Sequence, residues 1–208
     1  MIELLTANTP NGKKISIMLE EINFKYKVTK ININNDEQFK PKFVKLSPFR
    51  KIPVIIDHEN NQSLFESGAI LIYLAEKSGK FYDQENRTQI NQWLMGQMAY
   101  VGPMLGQHHQ FHHYNPGKSK FGEDRYFKIS ERIYNELDER LGSSEYLAGN
   151  FYTIADIATF PWIARHEWHD IGLKKFKHLT RWYKKISSRK AVKKGFDLLK
   201  KNEKIPEA

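Results

Sequence analysis

The residues able to do chemistry in this 208-residue chain begin with a proline in an unusual place. Lys51-Ile52-Pro53-Val54-Ile55-Ile56 has the composition of a strand. Proline cannot donate to a sheet ladder, so it belongs at a strand's first residue, at an edge or at a bulge. A little further on, Leu64-Phe65 forms a second strand-like run into Glu66-Ser67, with Ser67 predicted to cap the helix that follows. An unpaired backbone edge beside a helix N-terminus suits a small peptide that ends in a carboxylate. Thr9-Pro10-Asn11-Gly12 lies between the first strand and the first helix. A helix N-terminus there favours developing negative charge, such as a thiolate. The same four residues also build an ordinary turn and cap. The third group is Gln107-His108-His109-Gln110-Phe111-His112-His113-Tyr114. On a helix His108/His112 and His109/His113 are each four apart, a spacing that can chelate one ion. No third carboxylate or cysteine stands near them in the sequence, and no metal site is expected.

Composition narrows the chemistry further. Cysteine is absent. That excludes a structural disulfide, a thiolate metal site and a protein thiol nucleophile, so any thiol chemistry must use sulfur from a bound ligand. A hydrophobic content of 40% with 13% aromatics supports a packed core. No run approaches the roughly 18 apolar residues of a membrane span. The start Met-Ile-Glu-Leu-Leu-Thr lacks the basic and long apolar regions of a signal peptide, which points to a cytoplasmic location. The net charge of +9 is unevenly placed. From residue 174 onward there are 13 Lys or Arg against 3 Asp or Glu, and before it 20 against 21. The excess reads as a solvated helical surface rather than a nucleic-acid site, because no nucleic-acid motif accompanies it.

The elements that must position these residues are legible from periodicity. A strand near 2–6 precedes a helix near 12–22 with an apolar stripe at Ile15, Met18, Leu19 and Ile22. A strand from Tyr26 to Ile33, a short helix from Phe39 to Leu46, a hairpin and a helix from Ser67 follow. This βαβ, α, ββ, α order fits an α/β thioredoxin-like domain over residues 1–80. Gly79 to Asn86 is polar and aperiodic and is predicted as the linker. Residues 87–208 are predicted as an all-α domain, with Tyr126, Ile129, Ile133, Leu137 and Leu141 spaced three and four apart. Gly102-Pro103 should kink or end a helix. Thr153-Ile154-Ala155-Asp156 forms a capping box. Basic helices near 176–188 and 191–201 close the chain.

Five ordered motifs carry a resemblance over nearly the whole chain: Thr9-Pro10-Asn11-Gly12-Lys13; Lys51-Ile52-Pro53; Leu64-Phe65-Glu66-Ser67-Gly68-Ala69-Ile70 continuing to Lys77; Gly102-Pro103-Met104-Leu105-Gly106-Gln107; and Tyr152-Thr153-Ile154-Ala155-Asp156. Together they resemble the Nu class of glutathione transferases, whose bacterial members are described as glutathione-dependent disulfide-bond oxidoreductases. The resemblance implies the glutathione transferase fold, glutathione as substrate with no further cofactor, and a homodimer. It implies that Thr9 and Asn11 hold the glutathione sulfur, and that Ile52, preceding a cis proline, pairs with the cysteinyl unit. Glu66 and Ser67 would bind the glutamyl end, Gln38 the glycyl end, and Arg132 oxidised glutathione. The bare alternatives are a surface Gln38 and an Arg132 paired with Glu131 or Glu136. The implied activity is reduction of small disulfides by bound glutathione thiolate. Conjugation to electrophiles, peroxide reduction and non-catalytic glutathione binding remain alternatives. Phe49-Arg50 departs from the smaller polar residues usual before Lys-Ile-Pro.

Overall fold

A computed structural model describes residues 1–208, which divide into two compact units. The first comprises residues 1–83 and 189–204, the second residues 84–188 and 205–208. The expected all-helical segment 87–208 therefore does not stay whole, because its last helix belongs to the first unit.

In the first unit a four-stranded sheet runs in the order β2-β1-β3-β4, with β1 at Ile2–Thr6, β2 at Tyr26–Lys30, β3 at Val54–Asp57 and β4 at Gln62–Phe65. β1 and β2 are parallel and the other pairs antiparallel. Helix α1 (Pro10–Ile22) starts where the sequence favours it: Thr9 caps it, accepting from Gly12 N at 3.1 Å, and Pro10 occupies the first turn. Gly12 is required there, since a Cβ would sit 2.3 Å from the Ala7 carbonyl oxygen. A short α2 (Pro41–Val44) follows, then α3 (Ser67–Ser78).

The second unit contains α4 (Arg87–Gly96), α5 (Gly102–His108), α6 (Lys120–Ser143), α7 (Ile154–Ile163) and α8 (Lys177–Ser187). α4 and α5 are joined by a π-helical turn at Gln97–Val101, and a second one at His109–Tyr114 follows α5. The expected disturbance at Gly102-Pro103 takes this form: the helix widens ahead of Pro103 instead of breaking. α8 lacks a side-chain cap of its own, and Asp138 of α6 supplies one by accepting from His178 N and Leu179 N, both at 2.8 Å.

Helix α9 (Lys190–Asp197) packs against α1. Its Gly195 allows the approach, because a Cβ there would lie 2.6 Å from Ile17 Cα, and Ser16 Oγ donates to the Gly195 carbonyl at 2.6 Å. Arg189 clasps Glu21 with two hydrogen bonds, and Lys194 pairs with Glu20. Part of the basic C-terminal charge is thus spent on acids of its own unit.

The capping box opens α7. Buried Asp156 accepts from Thr153 N, Thr153 Oγ1, Leu147 N and Trp182 Nε1, at 2.8–3.1 Å. Removing it strands several buried donors, each worth about 1–3 kcal/mol. We expect Asp156→Ala to destabilise the protein by about 3 kcal/mol or more, read as a large fall in the urea midpoint, with Asp156→Asn milder.

Candidate functional site

The ladder registers place the first-unit residues together. Leu5 pairs with Val54, and Val54 with Phe65. Three chain segments therefore emerge from one end of the sheet: the Thr9–Gly12 turn beyond β1, Ile52-Pro53 before β3, and Glu66-Ser67 after β4. The Ile52-Pro53 bond is cis, as the resemblance implied. Ile52 packs with Phe65 against the cluster of Leu5, Phe43 and Val54.

Each expected residue has a definite place. The Thr9 hydroxyl oxygen is engaged by Gly12 N, which leaves its proton to donate elsewhere. The capping role of Thr9 therefore does not use up its capacity to donate. Asn11 follows on the first turn of α1 and is half-buried. The expected cap at Ser67 is shifted by one: Glu66 takes the cap position and Ser67 is the first helical residue. Glu66 stands at φ 68°, ψ 115°, a backbone conformation that L residues rarely adopt. Gln38 lies in a 3₁₀ turn, its Nε2 donating weakly to Ile33 O at 3.4 Å and its buried Oε1 unpaired.

Sequence reasoning missed Lys14. Its side chain is buried, and its Nζ donates to Ser67 Oγ at 3.3 Å. Burial pushes the ammonium's pKa down to about 7, with Glu66 opposing the shift. A signal was present: α1 is buried at every position from Gly12 to Leu19. A lysine inside such a run must meet a buried partner.

Arg132 belongs to the second unit, on α6. It is exposed and lines an open groove of about 640 Å³ with Arg125, Lys128, Tyr100 and Met104. The alternative ion pair to Glu131 is not formed, since Glu131 pairs with Lys175 at 3.0 Å.

The second unit also gathers the histidines. His108 is fully buried, stacks on His112 with ring centroids 4.8 Å apart, and lies edge-on to His169. His109 stacks on His169 at 4.6 Å and on Trp162 at 6.0 Å. His169 Nδ1 meets the Tyr134 hydroxyl at 2.7 Å. Burial, then the neighbouring His112, holds His108 down to about 4, and burial with Arg165 holds His109 down to about 3. Both shifts favour the neutral imidazole of His108 and of His109, which lets these two rings pack closely against their neighbours.

Residues 2–76 match the glutathione S-transferase N-terminal domain and residues 103–190 its C-terminal domain. Disulfide-bond oxidoreductase YfcG of Escherichia coli is 42% identical over 207 residues, covering 96% of this chain and 95% of that one. The chain belongs to the glutathione transferase family. Among solved structures, a glutathione transferase from Burkholderia graminis with two glutathione molecules bound per subunit superposes with a TM-score of 0.88. It is 38% identical, over 96% of this chain and 88% of that one. Another from Pseudomonas putida, with one glutathione disulfide per subunit, gives 0.87 at 40% identity over 95% and 91%. This transferase fold thus brings five of the expected residues to one sheet end and adds Lys14 to them.

Lys14 has a pH signature. Its folded pKa lies below the ordinary lysine value of 10.5, so between about pH 7 and 10.5 the unfolded chain holds more protons than the folded one. Unfolding free energy then rises with pH across that window. For Lys14→Met we expect the stability gain over wild type to be largest at pH 7 and below, and to shrink toward pH 10. Urea unfolding series at several pH values measure it, and a pH-independent gap would contradict the burial of a titrating amine.

Proposed function

We propose that this protein is a glutathione-dependent disulfide-bond oxidoreductase of the Nu class, acting in the cytoplasm as a homodimer. The observation that carries the reading is the Thr9 cap: its oxygen accepts from Gly12 N, which leaves the hydroxyl proton to donate to another group, in a chain without cysteine. A glutathione sulfur placed there meets the Thr9 hydroxyl, the Asn11 amide and the positive end of α1, all of which favour thiolate over thiol. The relatives support the reading, since YfcG is named a disulfide-bond oxidoreductase and the solved neighbours hold reduced or oxidised glutathione.

The reaction balances without any protein sulfur. A bound glutathione thiolate attacks one sulfur of the substrate disulfide, forming a mixed disulfide and releasing a thiolate that takes up a proton. A second glutathione thiolate attacks the glutathione sulfur of the mixed disulfide, giving glutathione disulfide and a second thiol. Two glutathiones are oxidised and one disulfide is reduced. Ile52 presents backbone to the cysteinyl unit, and Glu66 accepts from the glutamyl ammonium. Ser67, at the start of α3, takes the glutamyl carboxylate, and Lys14 beneath it supplies the positive charge. Gln38 serves the glycyl end. The cationic groove of Arg132, Arg125 and Lys128 suits the carboxylates of oxidised glutathione.

Glutathione oxidation with 2-hydroxyethyl disulfide, set against conjugation to a chlorinated aromatic, tests the activity. Disulfide reduction should dominate and survive treatment of the protein with a thiol alkylator. Thr9→Val should lower turnover about 10- to 100-fold, the loss of one charge-assisted hydrogen bond, while Thr9→Ser restores it. Asn11→Ala should reduce rate more than glutathione affinity. If Thr9→Val and Asn11→Ala both kept wild-type turnover, the sulfur site would lie elsewhere. A monomer by light scattering at micromolar protein, with full activity, would remove the dimer.

A further inference from the structure

We propose that His108, His112 and Asp170 form a binding site for one divalent transition ion of the zinc class, in the second unit and independent of the glutathione chemistry. One ligand atom from each of the three lies within 4.8 Å of the other two. His112 Nε2 and Asp170 Oδ2 are already 2.9 Å apart. Metal bonds of about 2.0–2.2 Å in tetrahedral geometry put ligands roughly 3.3 Å from one another, so closure needs a movement of little more than 1 Å. The two less buried members have room to supply it: His112 is half-exposed and Asp170 exposed, while His108 is enclosed in the core.

Four observations favour an ion over a mere ion pair. Both ring nitrogens of fully buried His108 lack a hydrogen-bond partner. Such groups are rare and costly, and a cation satisfies a lone pair that no donor reaches. The widened π-helical turn at His109–Tyr114 begins beside His108 and includes His112, and the two rings stack face to face. Turns of this kind are frequent at functional sites. Asp170 stands at φ 52°, in the left-handed region, where it closes the turn after α7. Phe127 flanks both imidazoles and limits water on that side.

Two imidazoles and one carboxylate form a donor set suited to zinc and its neighbours, rather than to magnesium or calcium, which favour oxygen. Three protein ligands leave a fourth position open, and the exposed side at Asp170 gives access. A carboxylate from a substrate or a water can complete the shell.

The test uses untagged full-length protein, stripped with chelator and titrated with Zn²⁺ by calorimetry, and with Co²⁺ by absorbance. We expect one equivalent per chain, the visible bands of a four-coordinate Co²⁺ site, and a rise in Tm of about 5–10 °C at a hundredfold excess over Kd. His112→Gln and Asp170→Asn, both outside the core, should each weaken binding at least tenfold while circular dichroism stays unchanged. Absence of stoichiometric binding to the wild type would overturn the proposal. So would retention of wild-type affinity in either variant, which would place the ion on other histidines.

Discussion

A helix buried on every side cannot carry two successive lysines unless both ammonium groups find partners, and the first unit is arranged around that constraint. Lys13 and Lys14 of α1 are each about 1% exposed. Successive helical residues diverge by about 100°, so the two side chains must be satisfied in different places. Lys13 reaches Glu203 at 2.7 Å, with its ammonium 3.4 Å from the centre of the Phe196 ring. Lys14 donates to the Ser67 hydroxyl at 3.3 Å, and Glu66 favours its charged form through space. The first is a closed ion pair, damaging to break. For the second, the burial cost outweighs the support from Glu66, and the depressed pKa is the direct result. One lysine anchors the segment 189–204 and the other keeps positive charge in reserve where α3 begins.

This constraint explains why so much of the first unit was legible and why its last helix was not. β1, the parallel β2 and the α1 stripe follow from local periodicity. The cis Ile52-Pro53 bond does not follow from periodicity; the family resemblance implied it. Which unit residues 189–204 join depends on Gly195 meeting Ile17 and on Glu203 meeting Lys13, contacts made across most of the chain's length. Periodicity predicts a helix there but carries no information about its partner. The one-residue shift of the α3 cap from Ser67 to Glu66 has a different origin. Ser67 has the side chain of a cap, but tertiary placement holds Glu66 at positive φ, and intrinsic preference loses.

The candidate sites divide in the same way. Thr9, Asn11, Ile52, Glu66 and Ser67 lie in short motifs and are legible in the sequence. Asp170 was not: its nearness to His112 is made by the turn after α7, and a search for a third ligand along the sequence near His108–His113 passes it by. The buried histidines are equally instructive. Eight-residue runs rich in histidine usually read as surface, yet here burial removes the charge, and neutral rings stack as any aromatic group does. Trp162 and Tyr134 complete a packed layer that polarity scales would place in water.

The placement of Lys14 also bears on how a sulfur should be activated. In thiol–disulfide exchange a thiol gains from ionisation but loses intrinsic nucleophilicity as its pKa falls, with a Brønsted coefficient of about 0.4–0.5. The best attacking sulfur therefore titrates near ambient pH. A buried ammonium in direct contact with the sulfur would drive its pKa too low and leave a populated but sluggish thiolate. Neutral donors at a helix N-terminus give a smaller shift. In the first unit the neutral groups, Thr9 and Asn11, stand at the start of α1, while the cation is turned toward Ser67 at the start of α3. A permanent carboxylate needs charge compensation and has no reactivity to lose. A reacting sulfur needs moderation. In the proposed function, the two helix starts at one end of the sheet would meet these different requirements separately.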